Sequence, residues 1–324
     1  MQDQIQVTVI CDAFNHAPYI RNTLDHFVNQ RVNFPFEILI HDDASTDGTA
    51  EIIREYAEKY PELLVPILQK ENQYSKGVAI LNTELKKVRG KYIAFCEGDD
   101  HWPDLDKLQK QYDFLESHPE YSGVAGVTEY FDDDGNVTMS PRPSQRYSNK
   151  DASEWAFLNE PEANIGSNTL MVRSAVLLDE AFYRAKEEST YVGDILIMLK
   201  TFEAGKIFIF EDVFQYHLDQ TRTDASNYNT IFNWEKKFSH CVDVCNAIAN
   251  NFEGEHDLTK WIENSVFGAL VRAMRTGEKK RFMELYRRIP SKYRVSLIGV
   301  WLKHLPGRVK ALIKRRIFKD TTLN

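Results

Sequence analysis

The sequence lacks any apolar run long enough to cross a bilayer. The longest uncharged apolar run near its C-terminal end, VSLIGVWL (Val295 to Leu302), falls far short of the roughly 20 residues a helix needs. The opening stretch MQDQIQVTVICDAF has neither a basic n-region nor an apolar segment, so the expectation is a protein made and kept in the cytoplasm. Cysteine is scarce: four in 324 residues make no disulfide framework. Cys11 and Cys96 fall in or at the ends of predicted buried strands. Cys241 and Cys245 lie one helical turn apart in HCVDVC, and without a second cluster at ligand spacing that run is no metal site. Two phosphate-binding signatures are also missing. There is no G-x-x-x-x-G-K-[ST] loop and no G-x-G-x-x-G after the first strand, which excludes a P-loop enzyme and a dinucleotide dehydrogenase.

Charge is present but unevenly spread. The net value is −8, yet from Trp261 onward there are 16 Lys/Arg against 4 Asp/Glu, and before it 24 against 44. An acidic body argues against nucleic acid as a partner, and the basic end needs an explanation of its own.

The first half alternates between two periods. QVTVICDAF, FEILIHD, LLVPILQ and GKYIAFCEGDD read as strands. APYIRNTLDHFVNQ, GTAEIIREYAEKY and KGVAILNTELKKV read as helices; Ile52, Ile53, Tyr56, Ala57 and Tyr60 share one face of the second. This rhythm implies an α/β fold, a mostly parallel sheet with helices on both faces. Further on, YSGVAGVTEYFDDDGNVTMS reads as a hairpin and IGSNTLMVRSAVL as a strand entering a helix. YVGDILIMLKTFEAG is predicted to be a helix closed by Gly205, and KIFIFEDVFQYHL a strand pair. From about Asn227 the pattern is helical. The expected division is residues 1–226, with halves meeting near 105, and a helical region over 227–324.

Ligands of such sheets bind at the carboxyl ends of strands, and two acidic clusters fall there. The first is HDDASTDGT (His41 to Thr49). Asp43, Ser45, Asp47 and Gly48 match the start of a calcium loop, but its twelfth position is Arg54 and a strand precedes it, so that reading fails. Asp47 before GTAEII is placed to cap a helix. Asp42 and Asp43 remain, two adjacent carboxylates suited to the N–H and O–H donors of a base or sugar. The second cluster is FCEGDDHW (Phe95 to Trp102). Glu97 and Asp99 point to one side of an extended chain, and Gly98 between them lets the backbone turn or approach a ligand. An oxygen-only set of this density suits Mg²⁺ or Mn²⁺ with a diphosphate completing the shell, against the plainer reading of a solvated acidic turn.

These stretches together resemble the family 2 glycosyltransferases with the GT-A fold. The resemblance rests on VTVICDAFNHAPYIRNTLDHFVNQ, FEILIHDDASTDGTAEII, GKYIAFCEGDDHW and YVGDILIMLKTFEAGKIFIFEDVFQYH, in the family's order over most of residues 5–220. It implies a Rossmann-like mixed sheet with a C-terminal helical extension. It also implies a nucleotide-sugar donor, expected to be a UDP-sugar, and inversion at the anomeric carbon. Asp12 and Phe14 would line the nucleoside pocket, and Asp43, with Asp42 beside it, would bind the base. Glu97-Gly98-Asp99 stands where the family has Asp-x-Asp: Asp99 would ligate the metal, Glu97 would reach ribose or a water on the metal, and Asp100 would orient the site. Asp194, in a Gly-Asp where the family often has Glu-Asp, matches the catalytic carboxylate; the plainer alternative is an ordinary helix cap. A positioned carboxylate can take the proton of an acceptor hydroxyl as it attacks. Weaker candidates are His217, as a metal or diphosphate contact or a core histidine, Trp102, stacking on a sugar or anchoring its loop, and Asn168, facing the acceptor.

The basic stretch SKYRVSLIGVWLKHLPGRVKALIKRRIFKD reads two ways: a peripheral segment on an anionic membrane carrying a lipid-linked acceptor, or a helical cap with a solvated face. The expected acceptor is a glycan or lipid-linked saccharide of a surface polysaccharide. Two other functions fit less well. A sugar-nucleotide nucleotidyltransferase wants a glycine-rich basic loop that CDAFNHAPY lacks, and a non-catalytic sugar-binding module does not need acidic residues at all three places.

Overall fold

Val7, Val9, Cys11 and Ala13 on one face of the first strand, and Thr8 and Ile10 on the other, are all buried. A strand buried on both faces belongs in the middle of a sheet covered by helices. In the computed structural model, which describes residues 4–132, 134–191, 193–218 and 233–304, β1 (Val7–Ala13) lies there. It pairs in parallel with β2 (Phe36–Asp42) on one side and β4 (Tyr92–Phe95) on the other, and β3 (Leu64–Leu68) extends the sheet beyond β2. The remaining strands are β5 (Tyr121–Phe131), β6 (Val137–Arg142), β7 (Lys150–Asp151), β8 (Met171–Arg173) and β9 (Lys206–Leu218). The order is β3-β2-β1-β4-β8-β5-β9-β7, with β6 on β5. β8 is antiparallel to both neighbours and β5 runs parallel to β9, so the sheet is mixed.

The chain moves outward from β1 through β2 to β3, then returns to place β4 on the other side of β1. That reversal opens a crevice beyond the carboxyl ends of β1 and β4, where open α/β sheets hold ligands. Helices α1 (Ile20–Val28), α2 (Thr49–Lys59), α3 (Ile80–Leu85) and α4 (Lys107–Ser117) connect these strands. Ile20, Leu24 and Phe27 of α1, with Ile53 and Tyr56 of α2, enter the same core as Val7, Ile38 and Tyr92. α5 (Glu154–Asn159), α6 (Ser174–Leu177), α7 (Glu180–Glu188) and α8 (Asp194–Ala204) follow in the middle of the chain.

Two local expectations change. KIFIFEDVFQYHL forms one strand, β9, instead of a pair; register shifts against β5 around Ala125 to Thr128 absorb the Glu-Asp that suggests a turn. α3 is shorter than KGVAILNTELKKV implies, because a 3₁₀ turn at Tyr74–Lys76 ends on Gly77 at φ +73°.

Two compact units are present, Met1–Ile231 with Ala247–His256, and Phe232–Asn246 with Asp257–Asn324. Helix α9 (Trp234–Asn251) contributes to both. In the second unit α10 (Thr259–Thr276), α11 (Lys279–Arg288) and α12 (Leu297–His304) pack through Ile262, Val266, Ala269, Phe282, Leu285 and Val300. Ile298 and Trp301 of α12 are exposed. Most of the basic stretch, read as a membrane-surface segment or a solvated helical cap, lies outside the described residues, from Leu305 on. No described helix is long and apolar enough to cross a membrane.

Candidate active site

The loops after β1 and β2 are knitted together by the polar residues of HDDASTDGT. Ser45 Oγ accepts from Asn15 N at 2.8 Å, Thr49 Oγ1 from His16 N at 2.9 Å, and Asp47 Oδ2 from Ala17 N at 3.0 Å. Asp47 Oδ1 also accepts from the amide of Thr49, the first residue of α2, which gives it the helix-start role expected. Gly48 at φ +100° makes the entry, a conformation costly for any other residue. Ala44 and Asn15 also hold positive φ, local strain at the edge of a ligand crevice.

Asp42 and Asp43 are both buried, and their carboxylates are used differently. Asp43 accepts from the amides of Gln73 (2.6 Å) and Tyr74 (3.0 Å), so it holds the loop after β3. Asp42 accepts from Ser45 N through Oδ2, while its buried Oδ1 has no hydrogen-bond partner among the described residues. Of the pair, Asp42 retains the acceptor that a ligand donor would satisfy.

Beyond β4 the acidic cluster divides by residue. Asp100, 1% exposed, accepts from Asn168 Nδ2 (2.7 Å), Gln215 Nε2 (2.5 Å), His217 Nδ1 (3.0 Å) and Leu218 N (3.2 Å). It ties the end of β4 to the end of β9. Burial alone would lower His217, but the bond to Asp100 and its charge outweigh that and raise it to about 9. His217 is thereby a cationic clamp on Asp100. Asp99 faces His16, with His16 Nε2 3.6 Å from its Oδ2. Burial lifts its carboxyl above the ordinary value, against the opposing pull of His16. Glu97 is lifted well above its usual range by lost solvation, then by the charges of Asp99, Asp100 and Asp194. One oxygen from each of Glu97, Asp99 and Asp100 falls within 4.8 Å of the others. An all-oxygen set crowded with like charge fits a hard divalent cation. With Asp100 occupied by four donors, Glu97 and Asp99 are the residues that could hold one.

Gly98 has no side chain because none fits: a Cβ would lie 2.8 Å from Ile20 Cδ1 and 3.1 Å from Ala13 Cβ. Its amide donates to Asp12 O at 2.8 Å, so close packing against α1, not the crevice, accounts for the glycine. Of its two readings, Trp102 meets the one that anchors its loop and is not open to a sugar. It is fully buried, tilted against Phe27 at 4.7 Å, and its Nε1 donates to Asn168 O at 3.0 Å. The ring is engaged inside the core, with the ammonium of Lys107 also 3.8 Å from its centroid.

The crevice is a cavity of about 450 Å³ lined by Ile10 and Asp12 of β1, Phe95 at the end of β4 with Cys96 and Glu97 after it, Val78, Ile80 and Leu81 around the start of α3, and Asn168, Lys186 and Asp194. Tyr74 and Tyr191, edge-to-face at 5.0 Å, also line it. Asp12, Asp194, Glu97 and Asn168, distant in sequence, therefore meet in one space. Phe14, Asp42, Asp43, Gly98, Asp99, Asp100 and His217 lie outside that lining.

Asp194 is the first residue of α8, whose N-cap is Gly193 and which has no side-chain cap bond. The capping alternative is not realised. Its side chain is exposed to the cavity; lost solvation there raises its carboxyl, opposed by the charge of Lys186 and by Ser167. Lys186, on α7, is 3% exposed; burial lowers it to about 8 against the pull of Asp194, Asp12 and Glu84. Burial would raise Asp12, but the hydrogen bond and charge of His41 hold it below the ordinary value; Nδ1 of His41 lies 3.2 Å from its Oδ1. The strand register imposes that pair, since Asp12 and His41 are direct neighbours in the parallel ladder. Glu84, wholly buried beneath, is pushed well up by burial and by the charge of Asp12. Sequence reasoning missed Lys186, Glu84 and His16. Lys186 sits in EAFYRAKEE, which reads as a solvated helical face, and only tertiary packing turns it inward.

The model of the family described as glycosyl transferase family 2 matches residues 8–177, a little over half of the chain. An uncharacterised protein of Mycobacterium tuberculosis is 48% identical over 115 residues, 35% of this chain and 32% of that one. The match thus spans about a third of the length of such mycobacterial relatives. The putative glycosyltransferase EpsE of Bacillus subtilis is 30% identical over 201 residues, 62% of this chain and 68% of EpsE. Among solved structures, Staphylococcus aureus TarS 1–349 in complex with UDP-GlcNAc superposes with a TM-score of 0.63 at 19% identity, covering 89% of this chain and 83% of that one. That likeness shows the fold. The chain belongs to glycosyl transferase family 2 and has the GT-A fold.

Proposed function

We propose that this chain is a metal-dependent inverting glycosyltransferase, moving a sugar from a UDP-sugar to a hydroxyl of a glycan or lipid-linked saccharide in surface polysaccharide synthesis. The observation that carries the reading is the meeting of Asp12, Glu97 and Asp194 in one cavity at the reversal of the sheet, with Asp194 freed from helix capping. TarS, which shares the fold, is known in complex with UDP-GlcNAc and is a poly(ribitol-phosphate) β-N-acetylglucosaminyltransferase. Residues 1–105 are assigned to the donor and 106–226 to the acceptor.

In this reading the nucleoside lies over the ends of β1 and β2. Asp12 and Phe14 flank it, Asp42 Oδ1 accepts a donor from the base or ribose, and Asp43 keeps the Gln73–Tyr74 loop in place beneath it. Asp99 and Glu97 would hold Mg²⁺ or Mn²⁺, which when bound offsets the charge developing on the leaving diphosphate. Asp100, clamped by Asn168, Gln215 and His217, fixes both. The Asp194 carboxylate accepts the proton of the acceptor hydroxyl as its oxygen forms a bond to the anomeric carbon. The bond from that carbon to the diphosphate oxygen breaks on the opposite face, so the configuration inverts. A thermal-shift screen of UDP, GDP, CDP and dTDP and their sugars with Mn²⁺ tests the donor. A selective rise with UDP compounds is expected; no rise with any nucleotide would overturn the reading.

A further inference from the structure

Lys186 is the one cation among the described residues that line the cavity, and the reaction as written gives it no task. We infer that Lys186 is a positioning residue for transfer, holding the entry to α8 and serving as the fixed counter-charge that keeps Asp194 ready to take a proton. This rests on the assignment of Asp194 as the base.

Three observations carry it. The ammonium is buried and donates to the carbonyls of Ser189 and Thr190, both at 3.3 Å, five and four residues before Asp194. It therefore grips the backbone that delivers the carboxylate. The position before Asp194 is Gly193, and a Cβ there would lie 3.4 Å from Lys186 Nζ, so the ammonium lies against the helix start itself. Finally, the titratable groups around it come from three elements: Asp12 on β1, Glu84 on α3 and Asp194 on α8, with His41 on β2 behind Asp12. Glu84 is pushed well above its ordinary range by burial and His41 compensates Asp12 at 3.2 Å, which leaves Asp194 as the carboxylate for which Lys186 is the largest opposing charge. A buried lysine among acids on a loop-facing helix stays charged only because those acids surround it, and each in turn depends on it.

The test compares Lys186→Met and Lys186→Gln with Asp194→Asn in steady-state transfer over a range of pH. Lys186→Gln can still donate to the Ser189 and Thr190 carbonyls but carries no charge. Both lysine variants are expected to lose about tenfold or more in kcat with donor KM little changed. Their acidic limb should also move to higher pH, because the charge that opposes the rise of Asp194 is then gone. A purely structural role would lower the rate equally at every pH. Wild-type kcat and pH profile in Lys186→Gln would overturn the inference while leaving Asp194 as base; full transfer by Asp194→Asn would instead overturn the underlying reading. If both single variants fail to fold, the double variant Lys186→Met/Asp194→Asn, which removes both charges, should fold, and its failure would also overturn the pairing.

Discussion

Asp100 and Asp99 are adjacent carboxylates expected to respond oppositely to removal. Asp100 accepts four hydrogen bonds at 2.5 to 3.2 Å from Asn168, Gln215, His217 and Leu218 N, and all but His217 and Leu218 among those residues are buried. In Asp100→Ala, two buried amide groups and a histidine lose their acceptor together. Each stranded buried donor costs about 1–3 kcal/mol, and breaking a buried charged network by removing one member typically costs about 3–5 kcal/mol. At roughly 2–4 °C per kcal/mol for a unit of this size, the melting temperature should fall by about 10 °C. Asp99, by contrast, is a carboxylate that folding makes less comfortable, since burial raises it against the help of His16. Asp99→Asn should therefore stay within about 1 kcal/mol of wild type or exceed it. Urea unfolding followed by circular dichroism measures both. If Asp100→Ala loses less than about 1 kcal/mol, or Asp99→Asn loses as much as Asp100→Ala, the division between a frame residue and a ligand residue is wrong.

Trp102→Phe should lower stability, through a lost bond to Asn168 O and lost packing on Phe27, yet leave donor affinity within about twofold, as isothermal titration would show. EDTA should abolish transfer, Mn²⁺ or Mg²⁺ should restore it, and Asp99→Asn should need at least about tenfold more metal for half-activity. His256 is buried between Glu154 (2.8 Å) and Glu203 (3.2 Å), whose bonds and charges raise it despite burial. A raised histidine contributes stability that is whole below its unfolded value of about 6.5 and is lost as pH rises through the folded value. His256→Gln should therefore be markedly weaker than wild type in urea at pH 6, with the gap closing toward pH 9.

What the sequence made legible follows from local physics. The strand FEILIHD and the start of α2 after Asp47-Gly48 depend on hydrophobic runs and turn chemistry, and both appear where expected. The two acidic clusters were visible because strand ends in a parallel sheet point to one edge. The partition of work within each cluster was not. Asp42 and Asp43 differ only in which side of the ladder they face, and that decides whether Gln73 and Tyr74 reach them. Trp102 is ambiguous by type, since an indole suits a core as well as a sugar; the packing of Phe27 and Lys107 on it resolves the matter. Lys186 and Glu84 carried no signal at all, because a charged residue on a short helix reads as solvated until its neighbours are known.

The central claim is that Asp194 performs the chemistry in a cavity that binds the donor without it. Single-turnover transfer by Asp194→Asn, alongside its affinity for the UDP-sugar, tests this most directly. The account predicts donor affinity close to wild type and a transfer rate lower by about 10²–10⁴-fold. Transfer at the wild-type rate would contradict it.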